Sequence, residues 1–76
     1  MKNTIKTIVS KIMNVHIDKI TEKTNLFTDL KADSLDMIEI AMAIEEKFKI
    51  DIPDSELEHL NTIDLITKYI QNTNTT

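Results

Sequence analysis

Seventy-six residues suffice for one domain and lie near the lower limit for a chain that folds on a single core without a staple. The chain has no Cys, which excludes a disulfide framework and a Cys-based metal site, so any thiol chemistry needs an added group. The net charge of −4 is uneven: residues 1–31 hold six Lys against three acids, and residues 32–76 hold three Lys against ten, an acidic half that suits basic partner surfaces and argues against nucleic acid.

No Gly, one Pro and three aromatics point to a helical protein with short connections and an aliphatic core. The first residues, Met1-Lys2-Asn3-Thr4-Ile5-Lys6, have spaced rather than continuous apolar positions and do not read as a signal peptide. No apolar run approaches membrane-spanning length. A cytoplasmic bacterial protein is the expectation; the mature form of an organellar protein is the alternative.

Ile5, Ile8, Val9, Ile12 and Met13 recur at helical spacing, which predicts an amphipathic helix over about residues 4–14, capped by Thr4 or Asn3. Lys2, Lys6 and Lys11 stand off that stripe, and the helix reads as scaffold. Residues 15–33 form a long connection with apolar anchors at Val15, Ile17, Ile20, Leu26, Phe27 and Leu30 and a turn of helix near Asp18 to Lys23. Connections of this length in compact domains are functional or pinned down. The expectation is an ordered loop laid over the core, whose task is to hold Ser34 at the tip of the next helix.

That helix runs from Ser34 to about Lys49. Asp33 or Ser34 can cap it, and Asp36 adds a negative charge in its first turn, where the helix dipole favours one. A helix start also offers free N–H groups to an anion such as a phosphate. Ser34 is thus either an ordinary cap or an exposed hydroxyl that tolerates a phosphate. The helix carries two apolar stripes. Met37, Ile40, Ala41, Ile44 and Phe48 form the expected core side. Leu35, Ile38 and Met42 lie nearly opposite, interleaved with Glu39 and Glu46 and flanked by Asp36 and Glu45. Burial of both stripes would strand those acids without water. The second stripe therefore reads as a docking surface, apolar for affinity and acidic for steering a basic partner.

Ile50-Asp51-Ile52-Pro53-Asp54 breaks the pattern, since Pro53 pushes Ile52 out of the α region. Asp54 is expected to cap a short helix of about Ser55 to Leu60, with Leu57 and Leu60 facing in. Thr62 or Asn61 caps a last helix to about Gln71, carrying Ile63, Ile66, Tyr69 and Ile70, and Asn72 to Thr76 is a polar tail. The fold class is all-α: a small four-helix bundle of three longer helices and one short one, in a single domain over 1–76. The acids of the short helix lack the glycine and spacing of an EF-hand, so no metal site is assigned. His16 and His59 have neither ligand spacing nor a nucleophile to serve, and no catalytic residues are assigned.

Asp33-Ser34-Leu35, within Leu30-Lys31-Ala32-Asp33-Ser34-Leu35-Asp36, resembles the attachment motif of acyl carrier proteins. The similarity extends to Leu26-Phe27-Thr28-Asp29-Leu30, to Glu39 and Ile40, to Glu45-Glu46-Lys47-Phe48, to Ile52-Pro53-Asp54 and to Tyr69-Ile70, nearly the whole chain. One departure is Lys31, where a Gly is common in that family; Lys adopts positive φ at a cost. It also sets a cation three residues from the serine, where it could meet a phosphate.

The resemblance implies a carrier rather than an enzyme. Ser34 would bear a 4′-phosphopantetheine arm, derived from coenzyme A, whose thiol holds acyl groups as thioesters. Asp33, Leu35 and Asp36 would present that serine to a phosphopantetheinyl transferase (the holo-carrier synthase). Leu35, Ile38, Glu39, Met42 and Glu46, with Asp36 and Glu45, would dock successive acyl-transferring and fatty acid synthesis enzymes through their basic surfaces. A monomer is expected. Met37, Ile40, Ile44, Ile52, Leu57 and Ile66 would line a core that loosens to admit an acyl chain, and are otherwise plain core. The type II fatty acid carrier fits the context of the serine; polyketide, specialised-lipid and D-alanyl carriers share the pattern. From another class, a non-covalent helical docking module would need no prosthetic group, and a small enzyme lacks any acid–base or nucleophile–base pair.

Overall fold

The computed structural model describes residues 1–73. Three α-helices follow one another: α1, Lys2–Met13; α2, Ser34–Phe48; and α3, Ile63–Thr73. Two single turns of 3-10 helix, Ile17–Lys19 and Asp54–Glu56, lie in the connections. Among the described residues there is no strand, only an isolated bridge between Asn25 and Thr62. The chain is therefore all-helical, as its periodicity predicts.

The expected short helix of Ser55 to Leu60 is not an α-helix. The segment takes i to i−3 hydrogen bonds, Leu57 N–H to the Asp54 carbonyl and His59 N–H to that of Glu56, with one α-type bond from Leu60 to Glu56. Seven residues between Pro53 and Asn61 are too few to repay helix nucleation, and Asp, Ser and His add little propensity. Pro53, not Asp54, stands at the cap position, and no side chain caps the turn.

Helix α1 starts two residues earlier than its periodicity suggests, and neither Thr4 nor Asn3 caps it. Ile5 N–H reaches the Met1 carbonyl, so both lie inside the helix. The first turn is held instead by Lys2, whose ammonium meets Glu22 at 3.3 Å and Asp64 at 3.4 Å. Its hydrogen bond to Glu22, ahead of the pull of Asp64, raises the Lys2 pKa above its ordinary value. One side chain thereby joins α1, the long connection and the start of α3. Thr62 does cap α3, accepting from Leu65 N–H at 3.1 Å. That helix continues past Gln71 to Thr73; residues 74–76 of the expected polar tail lie outside the described residues.

The core is aliphatic. Ile5 and Val9 of α1, Met37, Ile40, Ala41 and Ile44 of α2, and Ile63, Ile66 and Ile70 of α3 are buried together. Ile20, Leu26 and Ala32 from the long connection, with Ile52 and Leu60, close it. The connection is ordered by hydrogen bonds rather than by a helix. The Asn25 side chain accepts from Phe27 and Thr28 N–H, while Asn25 N–H donates to the Asp29 carboxylate at 2.8 Å. Leu26 N–H reaches the Asn61 carbonyl at 2.8 Å, Asp64 N–H that of Glu22 at 3.0 Å, and Ala32 N–H that of Leu26 at 2.9 Å. The loop is thus sewn to the start of α3, and its last stitch lies two residues before Ser34.

A chain without glycine still needs left-handed residues where helices stop and loops reverse. Asn14, Lys31 and Lys49 supply them, at φ 56°, 61° and 59°. Asn tolerates this region; Lys does not, at a cost of roughly 1 kcal/mol or more per residue. Lys31→Gly and Lys49→Gly are each expected to raise stability by about 0.5–1 kcal/mol, less than the full relief because Gly also loosens the unfolded chain. Denaturant midpoints measure this, and a fall would show that the lysine side chains stabilise more than their backbone costs. Ile44→Ala, at 1 % exposure, is expected to cost about 2–5 kcal/mol as a cavity-forming truncation. A loss well under 1 kcal/mol would mean that the two faces of α2 are exchanged.

Candidate attachment and docking site

The structure decides which residue caps α2. Asp33 is the N-cap, with extended backbone at φ −99° and ψ −176°. Its Oδ1 accepts from Asp36 N–H at 2.9 Å, and the Asp36 Oδ2 accepts from Asp33 N–H at 3.2 Å, a reciprocal capping box. Ser34 is the first helical residue. Its hydroxyl has no hydrogen-bond partner among the described residues, and the residue is exposed. The N–H groups of Ser34 and Leu35, in the first turn, have no acceptor within the helix. The arrangement is a free hydroxyl on a rigid tip, next to donors that suit a phosphate oxygen.

A surface cleft of about 320 Å³ opens beside that hydroxyl, lined by Phe27, Ser34, Ile38, Asp54, Leu57 and Glu58. Adjoining it through Leu57 is a small, half-open apolar cavity of about 10 Å³, room for one water-sized sphere. All six residues expected at an acyl-admitting core, Met37, Ile40, Ile44, Ile52, Leu57 and Ile66, line it, together with Ala41 and Leu60. Leu57 lines both cleft and cavity. Phe27, Asp54 and Glu58 were not expected at the serine. Of the two added cavity residues, Ala41 stood on the inward stripe of α2 and Leu60 three residues from Leu57, so both had a usable signal; Phe27, Asp54 and Glu58 reach the serine from outside its own helix.

The two stripes of α2 separate cleanly. Leu35, Ile38 and Met42 are 66 %, 38 % and 61 % exposed, and Glu39 and Glu46 are exposed among them. Met37, Ile40, Ala41 and Ile44 are buried on the other side, and Phe48 is half-buried. A helix buried on both sides is thereby excluded. The flanking acids differ from the rest. Asp36 is half-buried and serves the capping box, and Glu45 is half-buried with its Oε2 accepting from Ile52 N–H at 2.8 Å. His16 and His59 are exposed, and no group of three or more His, Asp or Glu among the described residues is placed to hold a metal ion. Among the described residues no helix is long and apolar enough to cross a membrane.

A family model described as the phosphopantetheine attachment site matches residues 3–70. A protein named acyl carrier protein from Buchnera aphidicola is 49 % identical over 70 residues, 92 % of this chain and 89 % of its own length. Proteins of the same name from Phenylobacterium zucineum and Wolinella succinogenes are 48 % and 43 % identical, covering 83 % and 88 % of this chain and 85 % and 88 % of their own. With a free serine hydroxyl at the tip of α2, a cleft beside it, and these likenesses over nearly its whole length, the chain belongs to the acyl carrier protein family, whose mark is a phosphopantetheine attachment site.

Proposed function

We propose that this chain carries acyl intermediates as thioesters on a 4′-phosphopantetheine arm joined through a phosphodiester to the Ser34 hydroxyl. The observation that carries the reading is the division of labour at the start of α2: Asp33 takes the cap, and the Ser34 hydroxyl stays exposed and unbonded. A serine needed as a cap would be consumed by it. When bound, the arm supplies the thiol that a chain without Cys lacks. This chain's own residues hold it: Ser34 through its oxygen, the first N–H groups of α2 near the phosphate, and Asp33 and Leu35 by presenting the serine to a phosphopantetheinyl transferase.

The rest of the reading follows from the faces of α2. Leu35, Ile38 and Met42 give partner enzymes an apolar contact that a pliant Met suits, and Glu39 and Glu46, with Asp36 and Glu45, steer basic surfaces toward it. The cleft by Ser34 leads toward the inner cavity, which must expand, with Leu57 moving aside, before it holds an acyl chain. We read 1–76 as a single carrier domain that performs no catalysis of its own and works as a cytoplasmic monomer, most akin to the carriers of type II fatty acid synthesis. In that fold the 3-10 turn at Asp54–Glu56 takes the position of the fourth, short helix.

Incubation with coenzyme A and a broad-specificity phosphopantetheinyl transferase is expected to add one phosphopantetheine to the intact mass, and Ser34→Ala to abolish the gain. No gain on a folded protein would favour the non-covalent docking module. Charge reversal at both Glu39 and Glu46 is expected to lower the rate of loading by about tenfold or more at low salt, with the difference shrinking as salt is added. Equal loading rates at low salt would remove the docking role of this face.

A further inference from the structure

We infer that the Glu45 carboxylate is a latch on the wall of the inner cavity, so that a cationic partner group which takes this carboxylate unlatches the cavity as it docks. Where cargo is concerned the inference rests on the carrier reading; the latch itself does not.

After α2 ends at Phe48 the chain reverses through left-handed Lys49 and runs back along the helix. Glu45 holds this return at three points. Its carbonyl accepts from Lys49 N–H and, at 3.3 Å, from Ile50 N–H; its side chain accepts from Ile52 N–H at 2.8 Å. A second hold comes from the far side, where the Tyr69 hydroxyl reaches the Asp51 carbonyl at a long 3.4 Å. Ile52 is 6 % exposed and lines the cavity. Pro53 follows and can donate nothing, and then comes the 3-10 turn that leads to Leu57 and Leu60, two further wall residues. The hydrogen bonds within that turn join it to itself. The charge-assisted bond from Ile52 to Glu45 is therefore the strong tether of this wall, and the Tyr69 contact the weak one.

Glu45 is also half-buried at the border of the exposed acidic stripe, next to Glu46 and three residues from Met42. An ammonium or guanidinium group drawn in by Glu39 and Glu46 can compete with one backbone N–H for the same carboxylate. If it does, Ile52 loses its anchor, and the wall from Asp51 to Leu60 keeps only its apolar contacts, the Tyr69 bond and the bonds within its own turn. Docking and access to the cavity then share one carboxylate. Glu45 is a positioning residue, distinct from Glu39 and Glu46, which are exposed and free to serve docking alone.

The test uses the full, unmodified chain, so its outcome does not depend on whether Ser34 accepts an arm. Amide hydrogen exchange at Ile52 and fluorescence of the apolar dye anilinonaphthalene sulfonate are read in wild type, Glu45→Gln and Glu45→Ala, with helical circular dichroism as the folding check. Glu45→Gln retains an acceptor oxygen and is expected to stay within about threefold of wild type, whereas Glu45→Ala exchanges Ile52 roughly tenfold faster or more and binds more dye. Ala and wild type behaving alike would overturn the latch. Wild type titrated with tetralysine gives a second reading that needs no folded variant. Faster exchange at Ile52 on saturation, absent in Glu45→Gln, supports the coupling; unchanged or slower exchange overturns it.

Discussion

The reciprocal hydrogen bonds between Asp33 and Asp36 are the constraint on which the site depends. They set where α2 begins, and with it the phase of the whole helix. Because Asp33 is the cap, Met37, Ile40, Ala41 and Ile44 turn inward and Leu35, Ile38 and Met42 outward. Because Asp36 answers it, both carboxylates are occupied, and Ser34 between them is left with an unspoken-for hydroxyl. A start one residue later would rotate the helix by about 100° relative to its cap and turn the serine into the capping group.

The capping box is only as well placed as the loop that delivers it. Twenty residues separate the end of the first apolar stripe from Ser34 in the sequence, and no regular element beyond the single turn Ile17–Lys19 lies among them. Order comes from local side-chain bonds around Asn25 and Thr24 and from main-chain bonds to the start of α3. Buried Leu26, Ala32 and Ile20 then draw the loop onto the core. With no glycine available, the reversals at Lys31 and Lys49 store backbone strain that this packing must offset.

Acidic residues do two kinds of work here. Some are exposed charge, as Glu39 and Glu46 are. Others are fasteners: Asp29 for the loop, Asp33 and Asp36 for the helix start, Glu22 and Asp64 for Lys2, and Glu45 for the return after α2. A carboxylate that accepts from a backbone N–H can form a geometrically specific bond that a surface ion pair lacks. The negative balance of residues 32–76 is therefore only partly a docking potential.

Periodicity was legible without the structure; of the caps, only the short choices Asp33 or Ser34 and Thr62 or Asn61 contained the right residue, while those named for α1 and the short helix did not form. The stripe of Ile5, Val9 and Ile12, the two faces of α2, the stop at Pro53 and the Thr62 cap depend on residues a few positions apart, where local geometry governs. The inner cavity's lining was readable for the same reason, since an inward stripe on each helix has only one interior to enter. What the sequence left open was settled by contacts between remote residues. The choice of Asp33 over Ser34 as cap depends on where the loop fastened to Asn61 delivers the chain. The early start of α1 depends on Lys2 finding Glu22 and Asp64, and the bond from Glu45 to Ile52 on the direction of a turn through left-handed Lys49. The short helix gave way to a 3-10 turn because seven residues cannot repay nucleation once both ends are tied. Local pattern determined the elements and their inward faces; only the tertiary structure decided which polar groups were already bonded and which, like the Ser34 hydroxyl, stayed free.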